Sequence, residues 1–91
     1  MDNKTSHLTL YEMRACPFCV RVRWALKRMG INIATKDTKR DVYARQRLIV
    51  NGGKVQVPCL HIAKEDGDVW MYESKDIIKY LEGEFGELKK A

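Results

Sequence analysis

The chain has 91 residues, 45% of them hydrophobic and 32% charged, which leaves room for one compact domain with one core and none for a second. Three cysteines are too few, and an odd number, for the disulfide framework of a secreted mini-domain, and MDNKTSHLTL lacks the apolar stretch and cleavage site of a leader. The 17 basic residues outnumber the 12 acidic ones, but they are dispersed and not interleaved with aromatic residues, which argues against nucleic acid and for a solvated surface that attracts small anions and acidic partners.

Residues 7–12, HLTLYE, alternate with period 2 and place Leu8 and Leu10 on one side of a first strand. From 17 to 30 the period changes. Val22, Ala25, Leu26 and Met29 recur at helical spacing, Pro17 suits the first helical position and Gly30 suits the end. Ile31 and Ile33 in INIATKD restart period 2 and predict a second strand after a very short connection, making a right-handed parallel strand–helix–strand unit. KRDVYARQRLIV, residues 39–50, reads as a second helix whose apolar positions do not settle on one face, stopped by Asn51-Gly52-Gly53. PCLHIA and DVWMYE are short strands joined through Lys64–Asp68, where Asp66-Gly67 favours an antiparallel hairpin.

The last amphipathic helix starts at Ser74, taken as its N-cap with Asp76 in the first turn, and is marked by Ile77, Ile78, Leu81, Phe85 and Leu88. Gly83 and Gly86 weaken its end. The predicted order is βαβαββα, an α/β domain spanning 1–91 whose helices cover both sheet faces, with 1–6 and 87–91 expected to fray.

The chemistry centres on the turn CPFC, two cysteines separated by two residues between a strand and a helix. Cys16 falls at the helix N-terminus, where unpaired N–H groups and the helix dipole favour a negative sulfur. A thiolate there is both available for attack and a good leaving group, the two properties that disulfide exchange needs. Cys19, almost one turn further on, is close enough to resolve a mixed disulfide on Cys16. Pro17 stiffens the turn without losing a helical hydrogen bond, and Phe18 offers an apolar lip. Two blander readings stand beside this one: half of a metal site completed by His7, His61 or Cys59, or simply buried small residues. No second C-x-x-C or C-x-x-H exists, so no metal is expected.

Cys59 reads as a buried sheet residue, with a third redox thiol as the alternative. His61 reads as a packed or surface histidine rather than a base. Trp24 and Trp70 read as core or edge packing.

LTLYEMRACPFC resembles the first strand and active-site turn of the glutaredoxins, and the resemblance extends over about residues 8–85. VQVPCL resembles that family's valine and cis-proline segment, which implies a cis Val57–Pro58 bond facing Cys16. YESKDIIKYLE is similar to the glutathione-recognition segment as glutathione transferases write it. The resemblance implies a thioredoxin-like fold with a four-stranded mixed sheet. It further implies a glutathione site in which Val57 presents its backbone to the cysteinyl part, Ser74 at the α-helix N-terminus holds the γ-glutamyl carboxylate, and Glu73 meets the ammonium. Phe18 and Pro58 would complete that wall. Many family members carry a lysine three residues before the nucleophile, where this chain has Met13. Arg14 is the expected substitute, with Arg21 and Arg23 as alternatives.

The expected function is therefore glutathione-dependent reduction of protein disulfides and glutathione mixed disulfides, with Cys16 as nucleophile, Cys19 as resolving thiol, and glutathione as co-substrate rather than a tightly bound cofactor. The expected partners are glutathione and disulfide-bonded or glutathionylated proteins. A cytoplasmic monomer without membrane contact fits the composition. The alternative is a non-catalytic glutathione-binding or iron–sulfur cluster-carrying module. A transferase is expected less, because 91 residues leave no room for the helical second domain of that family.

Overall fold

The computed structural model describes residues 5–90, with side chains described as far as Phe85. Strand β1 (Leu8–Glu12) leads into helix α1 (Pro17–Met29), strand β2 (Ala34–Asp37), helix α2 (Val42–Arg47), strands β3 (Cys59–Ile62) and β4 (Val69–Met71), and helix α3 (Ser74–Lys90). The predicted order βαβαββα is thus the observed one. The sheet runs β2-β1-β3-β4, with β1 and β2 parallel and the other two neighbouring pairs antiparallel.

The two faces of the sheet bury different sets of side chains, as a period of 2 requires. On one face Leu8, Leu10, Leu60 and Ile62 meet Val22, Ala25, Leu26 and Met29 of α1 and Ile77, Leu81 and Phe85 of α3. On the other, Tyr11 and Cys59 meet Ala44 and Leu48, with Val57, Trp70 and Tyr72 packed around them. Burying an aliphatic side chain of this size contributes about 1.5–3 kcal/mol, so the first cluster supplies most of the apolar stabilisation. Leu88, also expected in the core, lies outside the described side chains, and most of the ends expected to fray lie beyond them too. The backbone of α3 runs through Gly83 and Gly86 to Lys90.

Helix α1 has the predicted limits for the predicted reasons. Pro17 takes the first helical position after Cys16, and Gly30 closes the helix at φ 71°, a left-handed conformation that glycine adopts without a Cβ penalty.

Three local expectations are corrected. Strand β2 starts at Ala34, because Ile31 and Ile33 turn onto the α1/α3 core before the chain pairs with β1. Helix α2 ends at Arg47 and continues as a π-helical turn over Leu48–Gly52; the wider turn changes the phase, leaving Ala44 and Leu48 inside while Val42, Tyr43 and Val50 face solvent. Trp24 is 65% exposed, because the buried stripe of α1 is already filled and Trp24 lies off it beside Val20, Arg23 and Lys27. Trp70 does pack at the sheet edge, stacked on His61 with ring centroids 4.1 Å apart.

Candidate functional site

Cys16 is the residue ahead of α1, and its carbonyl accepts the first helical hydrogen bond, from the Val20 N–H at 2.9 Å. The N–H groups of Phe18 and Cys19 in that first turn have no carbonyl one turn earlier to bond. Cys16 is half-buried, whereas Cys19, three residues on in the first turn of α1, is fully buried. Burial pushes the Cys19 thiol up to about 12, with the neighbouring Cys16 adding to the effect and a Met13 backbone hydrogen bond opposing it. The two thiols are therefore unlike: one at the surface, the other held protonated in the core.

The loop before Cys16 is held from behind. Glu12, at the end of β1, is buried and ion-paired with Arg23 of α1, whose second nitrogen donates to the Arg14 carbonyl at 2.9 Å. Arg23 is thus committed to the scaffold and is no candidate for a ligand contact.

Two clefts flank Cys16. The larger, about 520 Å³, is lined by Met13, Arg14, Ala15 and Cys16 on one side and Asp37, Lys39 and Arg40 on the other. The parallel register, with Glu12 opposite Asp37, is what brings these segments together. The smaller, about 220 Å³, is lined by Phe18, Arg21, Gln56, Val57, Pro58, Tyr72, Glu73, Ser74 and Lys75. The Val57–Pro58 bond is cis, as the resemblance implied. The Cys16 sulfur lies 3.9 Å from the Val57 carbonyl oxygen, so a residue that lines the larger cleft touches one that lines the smaller.

Of the residues singled out from sequence, Phe18, Val57, Pro58, Glu73 and Ser74 converge on the smaller cleft, while Arg14 lines the larger one. Ser74 is not ahead of α3 but its first residue. The Glu73 carbonyl takes the first helical bond, from the Ile77 N–H at 2.8 Å, so the backbone N–H of Ser74 is one of the orphan donors at that end. Lys39 and Arg40 were missed, and they add two cations opposite Arg14.

Matches to known proteins bear on what such a site belongs to. Residues 10–89 match the sequence profile of the glutathione S-transferase N-terminal domain. The chain belongs to that family. No curated protein sequence matches. Among solved structures, a maleylacetoacetate isomerase from Anaeromyxobacter dehalogenans 2CP-1, with bound dicarboxyethyl glutathione and citrate in its active site, is 25% identical with a TM-score of 0.65, the match covering 88% of this chain and 35% of that one. Glutathione transferase Omega 2C from Trametes versicolor is similar in fold, with a TM-score of 0.72 at 18% identity over 89% of this chain and 39% of that one. A thioredoxin-like protein is 25% identical with a TM-score of 0.65 over 82% of this chain and 94% of its own. The chain spans little more than a third of the isomerase and transferase it matches. Its fold is the thioredoxin-like fold of the transferase N-terminal domain.

The other candidates lie apart from the clefts. Cys59 is fully buried on the α2 face, where burial pushes its thiol up to about 12. His61 bonds Asp68, Nε2 to Oδ2, at 3.0 Å, and holds that carboxyl below its usual range. Among the described residues no group of three or more His, Cys, Asp or Glu side chains could hold a metal ion, and no helix is long and apolar enough to cross a membrane.

Proposed function

We propose that this chain is a glutathione-dependent thiol–disulfide oxidoreductase, a single domain acting as a monomer in a reducing, cytoplasmic setting. The observation that carries the reading is the asymmetry of the C-x-x-C pair: Cys16 is half-buried and lines the larger cleft, with its sulfur 3.9 Å from the carbonyl oxygen of Val57 in the smaller one, and Cys19 is fully buried.

In this reading glutathione lies across Cys16. Its γ-glutamyl carboxylate meets the N–H and hydroxyl of Ser74 and its ammonium meets Glu73, while its cysteinyl amide pairs with the backbone of Val57. Its glycyl carboxylate reaches the larger cleft, where Arg14, Lys39 and Arg40 supply positive charge. Phe18 and Pro58 give the sulfur an apolar surround.

With a glutathionylated substrate, the Cys16 thiolate attacks the glutathione sulfur, a Cys16–glutathione disulfide forms, and the substrate thiolate leaves and takes a proton from water. A second glutathione thiolate attacks the same glutathione sulfur and frees Cys16, releasing oxidised glutathione. With a protein disulfide, Cys16 forms a mixed disulfide and the first substrate thiol leaves. Cys19 then gives its proton to the departing second substrate sulfur and closes the Cys16–Cys19 bond. Two glutathione molecules, oxidised to their disulfide, restore both thiols. The raised Cys19 thiol suits this order, because it keeps the resolving group neutral until a mixed disulfide is in place.

The test is the coupled assay with glutathione, glutathione reductase and a small mixed-disulfide substrate. Turnover that saturates with glutathione is expected, and none at saturating glutathione would overturn the reading. A second reading rests on the family match: glutathione addition to an electrophile, as in transferases. Conjugation of a chlorodinitrobenzene in the absence of disulfide turnover would favour it.

A further inference from the structure

Tyr72 belongs to both walls of the smaller cleft. It precedes Glu73-Ser74 directly, and its phenol crosses to the opposite wall, where the hydroxyl donates to the Lys54 carbonyl at 2.9 Å. The Lys54 ammonium caps the same ring 4.9 Å from its centroid. Lys54 lies three residues ahead of Val57, in a run with no helix or strand between the π-helical turn and β3. An irregular backbone stretch of that kind is positioned by its side-chain contacts, because no ladder fixes it.

The socket around the Tyr72 hydroxyl is closely fitted. A Cβ on Gly52 would stand 1.9 Å from the hydroxyl oxygen and 2.9 Å from the ring carbon that bears it. Gly52 is not in the left-handed region, so the glycine is there for close approach and not for backbone freedom. Cys59 is fully buried in the cluster against which the Tyr72 ring packs.

We propose that Tyr72 is a positioning residue: its phenol braces the Lys54–Val57 segment against the start of α3 and thereby sets how tightly the cleft holds the γ-glutamyl-cysteinyl part of glutathione. The role rests on the proposed function, and it differs from a ligand contact because the hydroxyl is already engaged with Lys54. Val57 and Ser74 hold opposite parts of one small peptide, so a shift of the segment by a fraction of a hydrogen-bond length misaligns both at once.

The test is Tyr72→Phe, which keeps the ring and the Lys54 contact and removes the oxygen. The KM for glutathione in the coupled assay is expected to rise about fivefold more than kcat falls, the cost of one typical hydrogen bond. Amide exchange at Lys54, Gln56 and Val57 is expected to quicken in the unliganded protein. Gly52→Ala is expected to be less harmful in the Tyr72→Phe background than alone, because the methyl then no longer meets the oxygen; the two changes are therefore non-additive. Unchanged exchange, an unchanged KM, strictly additive changes, or an equal fall of kcat, affinity and Tm would each overturn the role in an active protein. A wild-type protein without glutathione turnover would overturn the function and the affinity role with it, and the exchange experiment distinguishes that failure from failure of the brace.

Discussion

The Cys16 sulfur and the Val57 carbonyl oxygen, 41 residues apart in sequence, stand 3.9 Å from each other. Cys16 is half-buried at that contact, while Cys19 lies fully buried in the core.

That arrangement predicts different losses for the two thiols. Cys16→Ser should reduce both protein-disulfide reduction and deglutathionylation to the uncatalysed rate, because no other accessible thiol remains among the described residues. Cys19→Ser should keep deglutathionylation and lose protein-disulfide reduction. Equal losses in the two variants would count against the roles assigned to them.

Cys59→Ala should leave both activities in place, since the thiol is fully buried on the α2 side and held protonated. The alternative of a third redox thiol predicts otherwise. Peptide mapping after mild oxidation should find Cys59 unmodified while Cys16 and Cys19 are linked.

What the sequence made legible was whatever one segment determines by itself. Pro17 and Gly30 delimit α1 because each residue has a backbone reason to be where it is. The CPFC turn likewise needs only its own spacing. Ile31 and Ile33 misled because alternation reports burial, not pairing, and these two residues reach the core from outside the strand. The second helix had no clean face for a physical reason, the π-helical turn that rotates everything after Arg47. Lys39 and Arg40 stayed hidden because nothing local marks them. Only the pairing of β1 with β2 sets them across from Arg14. The family was legible in YESKDIIKYLE, yet weighing length against a transferase placed that lineage too low.

The larger cleft gives a charge prediction. If Arg14 and Arg40 hold the glycyl carboxylate, each change to alanine should raise the KM for glutathione by at most about fivefold, equivalent to about 1 kcal/mol, the upper end for an exposed pair. Glutathione whose glycyl carboxylate is esterified should bind the wild type more weakly and the variants no more weakly than that. Loss of equal size for ester and acid would place the carboxylate elsewhere. The effect should shrink with added salt.

Arg23 offers a different readout, because it supports the loop without facing either cleft. Arg23→Ala strands the buried Glu12 carboxylate and should cost about 1–3 kcal/mol of stability, less than a fully enclosed pair because Arg23 is itself partly exposed. Arg23→Lys can keep the charge but not the fork that also reaches the Arg14 carbonyl. Chemical denaturation should therefore rank the wild type above Arg23→Lys and Arg23→Ala lowest. Deglutathionylation should fall in Arg23→Lys by more than its stability loss accounts for.

Stability should also decline in alkali, and the direction follows from the two buried thiols. Cys19 and Cys59 are both raised from 9.0 to about 12 in the folded chain, so between those values the native state keeps protons that the unfolded state has lost. More protons bound to the native state means that unfolding becomes easier as pH rises. The neutral thiols contribute fully below pH 9, and their contribution is lost progressively toward pH 12. Each group gives a limiting slope of about 1.4 kcal/mol per pH unit. Tyr72 and Tyr80, also raised by burial, add to the loss above pH 10. Urea melts at pH 8 and pH 10 under reducing conditions should show the fall, and Cys59→Ala should remove a large part of it. An Ala variant with the wild-type slope would mean that Cys59 ionises as freely in the folded chain as in the unfolded one.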